Sequence, residues 1–199
     1  MKHAEQVQIP REAAPMFEER RAAQMAAFLL HKAGGRMALL KLMKLMYLAD
    51  RESMAQYGAP ISFDRLVSMD HGPVLSATLN HANGFIESGE DGWDSWISDV
   101  QTHDVELKRN VTPDNLDELS RADIKVLEAV WQRFGRMSKW QLRDWTHDHC
   151  AEWKDPRGSS LRIRYADVFK ALGKSPEEAR ELDEQLREQE NVSRVLASL

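Results

Sequence analysis

The sequence predicts a mainly α-helical chain with a small antiparallel β element, an α+β protein made of a compact helical domain and a C-terminal helical extension. Three stretches carry that expectation. From Met37 to Tyr57 apolar residues recur at spacings of three and four, the period of a helix face. From Ile61 to His71 apolar and polar residues alternate, the period of a strand with one buried face. In the second half, Ser-x-x-Asp at 120–123, Ser-x-x-Gln at 138–141 and Ser-Pro-Glu-Glu at 175–178 each mark a helix start.

The elements follow in order. Residues 1–15 read as a flexible N-terminus: 1–14 lack periodic apolar positions and include Pro10. Pro15 opens a first helix with Met25, Phe28 and Leu29 on one face, and Ala33-Gly34-Gly35 stops it. In the second helix Leu39, Leu42, Met43 and Met46 form a stripe, while Leu40, Leu45, Tyr47 and Leu48 fill other sides. A helix apolar on most sides is central, and Gly58 and Pro60 end this one. In the strand at 61–71, Ile61, Phe63, Val67 and Met69 point inward, and Ser62, Asp64, Ser68 and Asp70 point outward. Arg65-Leu66 forms a bulge and His71 continues the inward phase. Pro73 suits the first turn of a helix, where its missing N–H costs nothing. That helix uses Val74, Leu75, Thr78 and Leu79 and closes at Gly84.

Residues 85–94 are a loop. A second strand at 103–109, with Val105 and Leu107 alternating, pairs with 61–69, because a lone strand leaves its backbone groups unsatisfied. The helix opened by Ser120 carries the stripe Ile124, Leu127, Trp131 and Phe134 and ends at Gly135. A shorter one opened by Ser138 runs through Leu142 and Trp145. A loop at 154–160 precedes a brief helix at 167–172, ended by Gly173. Pro176 opens the last helix, whose apolar face is thin: Ala179, Leu182, Leu186, Val192, Val195 and Leu196. The expected organisation is a tail over 1–15, a domain over 16–173 and an extension over 174–199. Such an extension packs on the body, forms a homodimer or clasps a partner.

Composition narrows the function. The chain is 42% hydrophobic and 30% charged, ordinary for a folded domain. A net charge of −5 argues against binding nucleic acid through its phosphate backbone. The lone Cys150 forms no disulfide within the chain and fits a reducing compartment. The N-terminus has no apolar signal-peptide core, and no segment reaches the ~20 apolar residues of a membrane helix. The expectation is a cytoplasmic protein with no membrane partner.

Several polar residues have chemical potential. His147, His149 and Cys150, with His71 distant in sequence, are metal-ligating types, but "HDHC" lacks paired zinc-site spacing. Cys150 and His149 are adjacent, and neighbours on a helix point about 100° apart, a poor thiol–imidazole dyad. A hydrolase or metal-dependent enzyme using His71, His147 and Cys150 is therefore the alternative reading, and no catalytic, metal or cofactor site is predicted. Lys44, Asp50 and His71 suggest a buried Asp–His or Lys–Asp pair locking the second helix to the strand. Trp93 and Trp96 flank a glycine-rich loop bearing Glu90, Asp91 and Asp94. They read either as interface anchors or as cover for the sheet. Residues 177–190 hold seven acids and two arginines, a solvated helix face or a surface for a basic partner.

The ordered set of motifs resembles a known family. Leu42, Lys44, Leu45, Tyr47 and Ala49 match a Leu-x-Lys-Leu-x-Tyr-x-Ala helix; Tyr57-Gly58 follows, then His71-Gly72-Pro73-Val74. Farther on come "LSRAD" at 119–123, Gly135, "SKWQL" at 138–142 with Trp140, and "THDHCAEW" at 146–153 with Thr146 and His147. Together they are similar to the Panacea domain, the SocA-like antitoxin domain often found in phage-associated bacterial proteins. The likeness covers roughly residues 20–170. It departs at Met43, where many relatives carry glutamine, and at Ala151-Glu152, where a proline is common. The resemblance implies an antitoxin of a toxin–antitoxin system that neutralises a cognate protein toxin by direct binding. The motif residues are assigned to the scaffold, and Trp93, Trp96, Leu182, Leu186 and Val195 to partner contact. A rival role is a proteolytic adaptor handing the toxin to an ATP-dependent protease, to which the apolar "VLASL" end would be a signal.

Overall fold

The computed structural model describes residues 16–98 and 102–197; the tail expected over 1–15 lies outside the described residues. The elements are α1 (Glu19–Lys32), β1 (Arg36–Ala38), α2 (Leu39–Tyr57), β2 (Leu66–Met69), β3 (Gly72–Leu75), α3 (Ser76–Ala82), α4 (Trp93–Trp96), β4 (Asp104–Glu106), a 3-10 turn (Pro113–Asn115), α5 (Arg121–Phe134), α6 (Lys139–His149), β5 (Leu161–Arg162), α7 (Tyr165–Ala171) and α8 (Pro176–Ala197). The protein is mainly α with small antiparallel sheets, β1–β4 and β3–β2–β5.

Helix α2 is the hub. Leu42, Leu45, Met46, Tyr47 and Ala49 are fully buried, and α1, α5, α6 and β3 pack around them. Each such Leu or Met contributes on the order of 1.5–3 kcal/mol by leaving water. Gly58, at φ +76°, ends the helix in the left-handed conformation that glycine adopts without strain. The capping boxes form as expected: Ser120 Oγ accepts from Asp123 N and Ser138 Oγ from Gln141 N. Ser175 and Glu178 do the same at the start of α8.

The β region departs from the sequence expectation in three ways. First, β4 does not pair with 61–69. It pairs with β1, Met37 opposite Val105, because β2 is already hydrogen-bonded on both edges by β3 and β5. Second, the strand shortens to 66–69. Residues 61–65 turn irregularly, with Phe63 at φ +50°, and Ser62, Asp64 and Ser68 are buried rather than facing water. Third, Gly72-Pro73-Val74 is strand, not the first turn of a helix. Met69 pairs with Gly72 across a two-residue turn, Asp70-His71, so His71 sits exposed at a hairpin tip instead of inward. Pro73 is tolerated because β3 is an edge strand.

Helix α8 packs on α7, burying Ala179, Asp183 and Leu186. Among the described residues no helix is long and apolar enough to cross a membrane.

Candidate functional site

Three elements converge on one groove. Helix α2 supplies Leu39, Leu40, Met43 and Lys44; the β2–β3 hairpin supplies Met69, His71, Gly72 and Val74; the first turn of α6 supplies Lys139 and Trp140. The groove is a largely apolar cavity of about 550 Å³, open to solvent. Trp140 stands on its rim with 48% of its surface exposed. The His71 ring meets it edge-on at 6.1 Å, and Lys139 and Arg143 approach its faces at 5.3 and 5.0 Å.

Lys44 reaches the groove from a buried polar layer in which α2 is tied down. The Lys44 amine is fully buried and donates to Pro73 O at 2.7 Å; burial lowers its pKa to about 7. Gly72 makes that approach possible. It sits at φ +92°, and a Cβ there would lie 2.8 Å from Thr146 Oγ1 and 3.2 Å from Lys44 Cε. Thr146 in turn donates to Arg143 O at 2.8 Å. Asp50 accepts from Ile61 N and Ser62 N, each at 2.9 Å, and from Ser62 Oγ. Burial outweighs those bonds and raises its pKa to about 7. Asp64 accepts from Ala77 N, Thr78 N and Thr78 Oγ1, placing a carboxylate at the start of α3; burial raises its pKa also.

Neither the Asp50–His71 nor the Lys44–Asp50 pair forms. Asp50 is consumed by the 61–62 turn, Lys44 by a carbonyl, and His71 by the hairpin tip. The anchor that the sequence left unread is Glu152. Its carboxylate accepts from Tyr47 Oη at 2.6 Å and from Arg51 Nε at 2.8 Å, joining the α2 motif to the segment after α6. Its signal was present in "CAEW", at the point where the chain departs from the family pattern.

The remaining candidates fall elsewhere. Leu42 and Leu45 are core. His147 stacks on Trp153 at 4.0 Å, and His149 stacks on Trp145 at 4.4 Å. Cys150 is buried, and its thiol is pushed up to about 12 by desolvation, the direction of a buried structural cysteine. No cluster of three or more His, Cys, Asp or Glu suited to a metal ion exists among the described residues. Trp93 and Trp96 are not exposed anchors: they are 2% and 1% exposed. Glu19 accepts from Trp93 N at 2.6 Å and Arg109 covers the Trp96 ring at 4.2 Å, so both indoles are core cover. Leu186 is buried and Leu182 is half-buried, whereas Val195 is 60% exposed.

No curated protein and no solved structure matches this chain. The family described as Antitoxin SocA-like, Panacea domain matches residues 42–154, from α2 through the hairpin and Trp140 to the loop beyond Glu152, more than half of the chain. The chain belongs to the SocA-like antitoxin family, as a Panacea-domain protein.

Proposed function

We propose that this chain neutralises a cognate protein toxin by direct binding, with the groove between α2, the β2–β3 hairpin and α6 receiving an apolar segment of the toxin. The observation that carries the reading is that five of the motif residues, Lys44, His71, Gly72, Val74 and Trp140, line one open, largely apolar cavity, with Trp140 exposed on its rim. Exposed tryptophan beside an apolar depression is the composition of an interface hot spot. The polar residues beneath it are occupied by the scaffold, so the chemistry on offer is shape and burial rather than bond-making. Neutralisation by occlusion needs an interface of about 1,600 Å² in all, with the groove at its centre.

The test is co-expression. Each open frame neighbouring this gene is induced alone and together with the chain, in bacteria with and without their ATP-dependent proteases. One frame is expected to arrest growth alone and to be rescued by the chain in both hosts. Trp140→Ala should lose rescue and co-purification while keeping its melting temperature. Rescue that disappears in the protease-deficient host would favour delivery for degradation over occlusion. Rescue undiminished by Trp140→Ala and by Met43→Asp would remove the groove from the mechanism.

A further inference from the structure

A second cavity lies against helix α8 and shares no lining residue with the groove. Helix α8 carries Asp183, Arg187, Glu190 and Arg194 at successive spacings of four, three and four, which puts them on one stripe. That stripe faces the β2–β5 edge, where Arg162 and Arg164, two apart in an extended segment, share a side with Arg65. The groups enclose a cavity of about 210 Å³, walled by Leu66, Ile163 and Tyr165.

The charges there do not cancel. Asp64 is spent on the start of α3. Asp183 pairs with Arg187 at 2.8 Å. Tyr165 Oη donates to Asp64 O at 3.0 Å. Glu190 lies within electrostatic reach of Arg162, Arg194 and Arg187, yet burial raises its pKa against their pull. Arg65, Arg162, Arg164 and Arg194 make no side-chain hydrogen bond or ion pair in the structure described. Five arginines against three carboxylates leave two positive charges on one small cavity, in a chain whose net charge is −5. Buried Leu66 and Ile163 present a low-dielectric wall, which focuses the field of such a cluster into the cleft.

We propose that this cleft binds a phosphoryl oxyanion. Guanidinium groups present planar, forked donors matched to phosphate oxygens, and here they approach from a strand and from a helix at once. A dianion balances the local excess, which a single carboxylate leaves half compensated. The cavity is smaller than the ~300 Å³ at the lower end of drug-sized pockets, so it takes a small phosphate-bearing group rather than a length of chain. Arg162, Arg164, Arg187 and Arg194 lie beyond the family-matched segment, residues 42–154, and Arg65 lies within it. Bound anion would join α8 to the sheet.

The experiment uses the full chain and inorganic phosphate, with sodium chloride at matched ionic strength and sodium acetate as controls. Calorimetric titration and the melting temperature are the readouts. Phosphate is expected to bind and to raise the melting temperature beyond chloride and acetate. The double variant Arg162→Ser, Arg194→Ser, both exposed positions, should fold unchanged and bind about tenfold more weakly or worse. The double variant Arg121→Ser, Arg136→Ser, at two exposed positions that do not line this cavity, serves as the charge-matched control and should bind like the wild type. The proposal is overturned if phosphate does no more than chloride, if acetate binds equally well, or if the double variant responds like the wild type. A short single-stranded oligonucleotide distinguishes the source of the phosphate. Weaker or equal binding places a free phosphate or nucleotide in the cleft; binding by the oligonucleotide without any response to inorganic phosphate overturns the small-anion site.

Discussion

The buried polar layer that fixes α2 and the seam between α7 and α8 solve opposite problems. In the layer, charged side chains are taken wholly out of water, and each is spent on scaffold: Asp50 on two backbone amides and a hydroxyl, Asp64 on the start of α3, Glu152 on Tyr47 and Arg51. In the seam, Ala179 and Leu186 supply the burial, and the Arg180–Glu184 ion pair lies at the surface. Desolvation sets this difference. A buried charge without its partners costs several kcal/mol, whereas an exposed pair is worth ~0–1 kcal/mol. The layer therefore dictates its sequence atom by atom, and the helix tolerates many sequences on its outer face. The family match covers the layer and stops short of α8.

The harshest way to break the contrast is Asp50→Ala. It leaves Ile61 N and Ser62 N buried without acceptors, and the expected loss is about 3–5 kcal/mol in a denaturant titration. A loss below about 1 kcal/mol would mean that the turn at 61–65 re-pairs its amides and that the layer is not rigidly specified.

The same layer makes a prediction about pH. Asp50 has its folded pKa raised to about 7, so the folded state holds a proton that the unfolded chain releases near pH ~4. Its contribution to stability is fully present below pH ~4 and is lost as pH rises through about 7. Lys44 runs the other way. Its folded pKa is lowered to about 7, so between about 7 and ~10.4 the unfolded chain binds the extra proton and stability rises with pH. Together the two groups place a minimum near neutrality, on the order of a few kcal/mol deep. Melting curves across pH should show Asp50→Asn flattening the acidic side and Lys44→Met flattening the basic side. Flat difference curves for both would show that neither group titrates in that window.

Gly72→Ala comes next, at about 2–3 kcal/mol. The cost has two parts, a left-handed φ of +92° and a methyl placed 2.8 Å from Thr146 Oγ1. Pairing it with Thr146→Ala separates them: the double variant should recover the steric part and keep the conformational one. Full recovery would show that φ costs nothing here.

Legibility in the sequence followed the same divide. Helices announced themselves, because periodicity and capping are local: α2, α5, α6 and α8 stand where spacing and Ser-x-x-Asp/Gln put them. The hairpin was misread because alternation reports which side chains are polar and not whether they face water. Ser62, Asp64 and Ser68 satisfy their bonds inside the protein. Pro73 suits a first helical turn and an edge strand equally well, and only the register with Met69 decides. Of the groove, Lys44, His71, Gly72, Val74 and Trp140 are legible as motif residues, but the cavity is not, since α2, the hairpin and α6 meet there through contacts distant in sequence. The burial of Trp93 and Trp96 is not legible in the sequence, because a loop rich in glycine and acid does not disclose that Glu19 and Arg109 fold over it.

The smallest effect sharpens the comparison from its other end. Arg180 and Glu184 lie one turn apart on α8 with 3.8 Å between Nε and Oε1, and both side chains are more than 60% exposed. Water screens the pair and ordering two long side chains costs entropy, so Glu184→Gln should shift stability by no more than about 0.5 kcal/mol. The neighbouring pair, Asp183 with Arg187, tests where the screening stops. Asp183 is 12% exposed and 2.8 Å from its partner, so Arg187→Ala leaves a nearly buried carboxylate with its ion pair gone and should cost more than Glu184→Gln. A double-mutant cycle on each pair, read at low and high salt, measures both couplings; equal values would erase the boundary between the two regimes on a single helix.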